Sequence, residues 1–540
     1  MGRTPLFRRL LSTIKHAGVD RPAPTARGAV GRRQLLQLGG IAAASLAVPS
    51  LVTGCAAGAS PEDERVDRAR ARLKKVNADI GIVGAGIAGI ACAYELRRVG
   101  VSATIHEASE RLGGRIYSMG GAFAGPVDWR GQVVERGGEL IDTGHKTMIG
   151  YARELGLSLE EVTKPARETF HYFDGQRVPE SVMVDEYRVL VDAMRDDLRT
   201  VGAPTAAAFT PGDRALDVMS LAEWLDARGA PPNIKRLLSV AYEIEYGVSA
   251  AEMSCLSFLL FAKASRQAKL RLWGNFSDER YHVIGGNQQV PVGLAARLPG
   301  RIELGRKLVR VRKLSDGRVE LTFSVGRKTV TATHDAVVLA LPFHLLRGVE
   351  LDASLGLPAT KRHAIDHVIY GQNAKLMVGF TGRPWIEQGS SGAAYSDLPH
   401  LQTTWETNPA LADASRAVIT DYTGGALSLS LSPQRAQADC ARFLDDFEVV
   451  YPGAKARARR DARGDYVCHL EHWPSNALAQ GGYTANQPGY FTEIAGYEGT
   501  PVDNLYFAGE TTDSFYSWQG FMEGGALSGL RVAGEISRDL

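Results

Sequence analysis

Glycines at 84, 86 and 89 and an acid at 107 are the first residues whose types and spacing could do chemistry. They lie between Asp79 and Arg115, where Ile80 to Val83 reads as a buried parallel strand and Val101 to His106 as a second one ending on Glu107. Between them Ile87, Ile90, Ala91, Tyr94 and Leu96 keep a helical period. In such a βαβ unit Gly84 permits the tight turn, Gly86 lets the backbone approach a pyrophosphate, and Gly89 lets helix and strand pack closely. Ile87 and Ala88 open the helix, whose free amides and partial positive charge suit phosphate. Glu107, with Ala108 beside it, can accept hydrogen bonds from both hydroxyls of an adenosine ribose. A glycine turn alone fits a purely structural α/β unit; the strands and the acid in register favour dinucleotide binding.

Arg111-Leu112-Gly113-Gly114-Arg115 follows almost at once. Adjacent glycines bring the backbone close to a diphosphate, and a guanidinium offers two parallel donors to it. This run separates FAD from NAD. Together with the glycine turn it resembles the flavin amine oxidase family of monoamine oxidases, polyamine oxidases and L-amino-acid oxidases, over roughly residues 78 to 540. The resemblance implies FAD as cofactor, with the backbone of Val309 meeting the adenine, and glycine at 482 makes its binding non-covalent.

Three further stretches bear on the same reading. Phe507-Ala508-Gly509-Glu510 precedes the glycine-rich run from Gly520 and Phe521 to Gly529. A last helix starting there would aim its N-terminus at the flavin N1–C2=O edge, where negative charge arrives on reduction. In Gly481-Gly482-Tyr483-Thr484, Gly482 stands where monoamine oxidases carry the cysteine that tethers FAD. Tyr483 and Phe521 match that family's pair of aromatics, an apolar slot that aligns a neutral amine, with Trp518 sharing the wall. Lys375, in Asn373-Ala374-Lys375-Leu376-Met377-Val378, resembles the lysine that holds a water at flavin N5. On an apolar strand it needs a polar partner.

Substrate selection is thinner. Where L-amino-acid oxidases place a carboxylate-binding arginine, this chain has Leu140. Asp142, with Glu139, occupies the place of a polyamine oxidase glutamate and suits an ammonium group; a hydrogen-bonded structural Asp142 is the other reading. The resemblance implies hydride transfer from the amine α-carbon to flavin N5, an imine hydrolysed to aldehyde or ketone, and electrons passed to O₂ or another acceptor. An amino-acid oxidase or desaturase of the same fold, a flavoprotein used only as a binding module, and an NAD dehydrogenase are the rival readings.

The leader bears on location. Residues 1–55 hold eight Lys/Arg and one acid, so the formal net charge of +2 leaves −5 for the rest. A mildly acidic body without a basic stripe argues against nucleic acid as partner. Arg32-Arg33-Gln34-Leu35-Leu36 resembles a twin-arginine export motif, and Val52-Thr53-Gly54-Cys55 a lipobox with Cys55 as lipid acceptor. The weakly apolar run between them suits a signal better than a membrane span. Export through the twin-arginine machinery to the periplasm or cell envelope is expected, lipid-anchored or simply cleaved. The other cysteines, Cys92, Cys255, Cys440 and Cys468, are too scattered for a zinc site or disulfide framework. Cys468-His469-Leu470-Glu471-His472 splits its ligands over two strand faces, so no metal is expected.

These elements imply an α/β fold: a Rossmann-like FAD-binding domain interwoven with an α+β substrate domain. After a 1–55 signal and a solvated 56–77 linker, residues 78–144, 281–342 and 471–540 form the first. Residues 145–280, mainly helical, and 343–470 form the second.

Overall fold

A computed structural model describes residues 61–164, 166–262, 278–514 and 518–540. The leader with Cys55 therefore lies outside the described residues. Four-residue apolar strands have no polar face to turn to water, so Ile80–Val83 and Ala336–Leu339 are buried throughout. They sit at the heart of a five-stranded parallel sheet in the order 505–507, 336–339, 80–83, 103–106, 302–303. Its register aligns Val83 with His106 and with Leu339, and Leu339 with Phe507. The residues that follow, Gly84, Glu107, Ala340 and Ala508-Gly509, all emerge at the carboxyl edge, where α/β sheets bind ligands.

Two helices cover one face of this sheet in intimate contact. Ile87–Arg98 (α1) follows the glycine turn, and Met522–Asp539 (α2) closes the chain. A Cβ at Gly529 would lie 2.4 Å from the Ala88 carbonyl oxygen and 2.8 Å from the Cys92 nitrogen; one at Gly525 would lie 2.7 Å from the Ile87 side chain. At Gly89 a Cβ would stand 2.1 Å from the Gly84 carbonyl oxygen. Glycine at these points lets the two backbones and the first strand meet.

A seven-stranded sheet runs 468–472, 373–379, 418–424, 401–406, 390–398, 168–173, 176–178. The 390–398 and 168–173 strands are parallel and the other pairings antiparallel. Its second strand, Asn373–Gly379, is wholly buried. Phe443 and Phe447 of the Ala436–Val450 helix pack on one face, against Phe380, Trp385 and Leu470. A smaller sheet joins 328–334, 319–325, 307–313 and 350–351, and its register slips at Val309.

The expected class is the one found, with local differences. The stretch 145–280 is not only helical: Glu168–Phe173 and Gln176–Val178 complete the large sheet. Alternation in Glu168–Phe173 is short and broken by two adjacent buried residues, so its period is hard to see. The helix expected from Ala251 onward shrinks to Cys255–Leu259, because Ser254 accepts from the Leu256 amide and starts it late. The charged stretch after the leader, expected to be a solvated linker, instead docks. Its helix Pro61–Ala71 buries Val66 against Trp518, Phe521, Leu527 and Leu530. Arg70 reaches the wholly buried Glu95 at 2.8 Å. Leu73 and Val76 continue into the core of the parallel-sheet layer.

Candidate active site

At the carboxyl edge of the parallel sheet lies a cavity of about 380 Å³. Its wall includes Gly84, Gly86, Ile87, Ala88, Glu107, Ala108, Arg111, Gly114 and Arg115 from the amino-terminal unit. Gly509, Glu510, Gly520, Phe521 and Gly525 from the carboxy-terminal segment complete it, with Tyr483 and Trp473. The two ends of the chain thus share one chamber. A Cβ at Gly86 would meet nothing within 4 Å, so the turn presents open backbone, whereas a Cβ at Gly114 would lie 3.1 Å from the Gly86 Cα. The Glu107 carboxylate accepts from the Ala85 amide at 2.6 Å and from the Ser109 amide and hydroxyl at 2.8 Å. Arg111 donates to the Gly114 carbonyl at 2.6 Å with its guanidinium over Tyr117, and burial lowers its pKa. Gly89 lies behind the wall. Val309 does too, although its neighbour Leu308 lines the cavity; the register slip leaves Val309 without a strand partner.

Glu510 joins three other segments, one of them from the far end of the sequence. One oxygen accepts from Arg115 Nη1 at 2.9 Å and from the Thr484 amide at 3.2 Å, the other from the Gly520 amide at 2.8 Å. Arg115 also donates to the Gly482 carbonyl at 2.8 Å. Behind this hub Gln519 donates to Tyr490, which bonds the buried Glu498. Arg115, Glu510 and Gly520 are site residues of the sequence reading, but that Glu510 joins the other two to Thr484, with Gln519, Tyr490 and Glu498 behind, is not visible in the sequence.

Lys375 points inward from its strand. Nζ donates to the carbonyls of Glu135 and Gly137 at 3.1 and 3.0 Å and pairs with Glu139, whose other oxygen takes the Trp405 indole N–H at 3.0 Å. Both side chains are nearly inaccessible, 2% and 4%. The expected polar partner is therefore Glu139, and neither residue lines the cavity. Burial pushes the adjoining Glu135 carboxyl up to about 7. Tyr483 does line it, and its hydroxyl meets that of Tyr422 at 2.9 Å. A Cβ at Gly482 would stand 2.6 Å from Asn373 Oδ1, so a side chain at position 482 would force Asn373 to shift.

Asp142 and Trp518 are also set back from the cavity. Asp142 is buried, accepts from the Glu279 amide at 2.7 Å, and lies beside His145. Burial, then Glu279 and Asp278, drive its carboxyl well above the usual range. The hydrogen-bonded reading of this aspartate describes its surroundings. Trp518 packs edge-on against His145 and Phe521. His145 escaped sequence reading, although it follows Asp142 by one helical turn at the start of the Lys146–Glu154 helix.

These residues fit a flavin dinucleotide: open glycine backbone, a ribose-type carboxylate and a helix start all face one elongated space. The profile of flavin containing amine oxidoreductases matches residues 87–537. The chain belongs to that family. It is accordingly an FAD oxidoreductase acting on amines. A Mycobacterium tuberculosis protein assigned as a flavin-containing monoamine oxidase is 26% identical over 470 residues, covering 85% of this chain and 96% of its own. Amine oxidase B of Sus scrofa is 24% identical, covering 85% of this chain and 86% of its own. Among solved folds, cyclohexylamine oxidase from Brevibacterium oxydans superposes with a TM-score of 0.70 at 23% identity, over 86% of this chain and 99% of that one. Putrescine oxidase does so at 0.69 and 23%, with the same coverage.

Two outcomes follow for this family member. Lys375→Met strands the Glu139 carboxylate in the interior and should cost about 3 kcal/mol in urea unfolding. The double variant Lys375→Met/Glu139→Gln, which removes the charge and can keep an acceptor for Trp405, should recover most of that loss. His106 lines the cavity with Nε2 3.1 Å from His334 Nε2, and burial, reinforced by His334, lowers its pKa from 6.5 to about 3. Between those values the unfolded chain binds a proton that the folded chain refuses, so stability falls as pH drops through the window. Denaturant titrations of His106→Gln should show a flatter slope there than the native protein.

Proposed function

We propose that the chain is an exported amine oxidase or dehydrogenase that holds FAD without a covalent link. The observation that carries the reading is the single chamber walled by Gly86 at one end of the chain and by Tyr483, Gly520 and Phe521 at the other. Bound there, FAD supplies the acceptor for the hydride lost from the amine α-carbon, and the electrons pass on to O₂ or another oxidant. The protein's own part is positional. Glu107 faces the ribose, and Gly86 and Gly114 admit the diphosphate. The amides at the start of α2 oppose negative charge at the far end of the chamber. Tyr483 and Phe521 provide apolar faces that exclude water and favour the uncharged amine. Lys375, whose three ammonium donors are taken by Glu139 and by the Glu135 and Gly137 carbonyls, braces its strand outside the chamber and is not the holder of a water at the flavin edge. The released imine is hydrolysed in solvent.

The crowding of a Cβ at Gly482 by Asn373, and the absence of a thiol there, support the non-covalent reading. The relatives named for monoamine, cyclohexylamine and putrescine oxidation support a primary amine as substrate. Leu140, in place of an arginine, speaks against amino acids. Anaerobic addition of a panel of mono-, di- and polyamines to the purified holoenzyme should bleach the flavin absorbance with at least one of them. A flavin left oxidised by every amine but bleached by an amino acid would replace this reading with the amino-acid oxidase one.

The leader supports export by the twin-arginine route with Cys55 as lipid acceptor. Intact mass measurement of the membrane-fraction protein should give a chain that begins at Cys55 and carries acyl groups. An unprocessed amino terminus would overturn export, and cleavage nearby without lipid would leave export and remove the anchor.

A further inference from the structure

The buried pair Asp142 and His145 has no part in the chemistry set out above, yet it touches the aromatic wall directly. The His145 imidazole packs edge-on against Trp518 at 4.6 Å and against Phe521 at 5.5 Å between ring centroids, and those two rings meet at 5.4 Å. Phe521 is the only one of the three that lines the chamber. His145 is fully buried, so its orientation is decided by its contacts rather than by water. The backbone amide of Asp142 donates to Nδ1 at 3.0 Å. An imidazole nitrogen that accepts carries no proton, so the ring is neutral and its proton sits on Nε2. That nitrogen lies 3.0 Å from Asp142 Oδ2, off the ideal N–H direction, a close polar contact. The other carboxylate oxygen accepts from the Glu279 amide. Both oxygens therefore face N–H groups, and an amide side chain at 142 would bring donor against donor at one of them.

The same spot is braced from outside. A Cβ at Gly144 would sit 3.2 Å from the Trp518 ring, so the indole packs closely on the Gly144 backbone. Asp278 accepts from the Thr143 amide at 2.9 Å, and Ile141 and Tyr281 exchange backbone hydrogen bonds at 2.6 and 2.8 Å. On the far side Val66 of the amino-terminal helix closes the cluster around Trp518 and Phe521.

We infer that Asp142 and His145 are a positioning pair for amine oxidation: Asp142 sets the plane of the His145 ring, and that ring sets the Phe521 face against which the substrate is aligned. The inference rests on the amine reading of the chamber. It assigns Asp142 no contact with substrate. Misplacement of an alignment surface by an ångström lowers rate far more than it lowers folding stability.

His145→Asn keeps an acceptor for the Asp142 amide and a good residue at the start of the Lys146–Glu154 helix, but deletes the ring. Asp142→Asn replaces one carboxyl oxygen by an NH₂ donor with almost no change of volume. In anaerobic stopped flow with an amine that reduces the native holoenzyme, each variant should show a limiting flavin-reduction rate about tenfold lower, calculated per bound flavin. Flavin content and melting temperature of His145→Asn should stay near native, and His145→Phe, which restores a ring, should regain part of the rate. Native rates per bound flavin in both Asn variants would overturn the inference, even if their stability fell. Native protein unreduced by any amine would overturn the amine reading and this inference with it; native protein reduced while the variants are unaffected would overturn the inference alone.

Discussion

Everything at the site depends on how closely α2 crosses α1. The chamber exists because Gly525 and Gly529 let the last helix lie directly on Ile87, Ala88 and Cys92, within distances that a single added methyl would violate. Burial of the flanking apolar residues supplies the attraction, about 25 cal/mol for each Å² removed from water. The glycines supply the proximity. With any other residue at 529 the helix would stand off, and the start of α2 would move away from the glycine turn. Close packing and cofactor geometry are thus one requirement.

Carboxylates carry the second layer of organisation. Glu510 gathers Arg115, Thr484 and Gly520, Glu139 gathers Lys375 and Trp405, and Asp142 gathers Glu279 beside His145. Each is buried, and a buried charge is tolerable only when its oxygens are met by donors. Each also ties segments distant in sequence. The result is a chamber whose walls are fixed electrostatically where apolar packing alone would permit sliding.

The parallel sheet and its glycine turn were legible because their signals are local: an apolar strand, a fixed glycine spacing and an acid at the end of the next strand. Tyr483, Gly520 and Phe521 were legible only through the resemblance to a family, since nothing in their own neighbourhood says that they approach Gly86. The partners of Lys375 and Glu510 were not legible. They come from segments far away, and no periodicity encodes such a meeting. Pro61–Ala71 misled for a different reason. Its many charges hide a single buried edge, Val66 with Ala69 and Arg70, and the average along the helix looks solvated.

Because α1 and its glycine turn are made long before α2, the chamber has no second wall while the intervening chain is being synthesised. Strand 80–83 can pair with 103–106 early, but its other neighbour, 336–339, and that strand's own edge partner, 505–507, arrive much later. Until then Ala88 and Cys92 lie bare where the Gly529 backbone will cover them. The nascent polypeptide thus carries an uncovered apolar helix face until residues 522–539 have emerged, and the chamber cannot close on a cofactor before then.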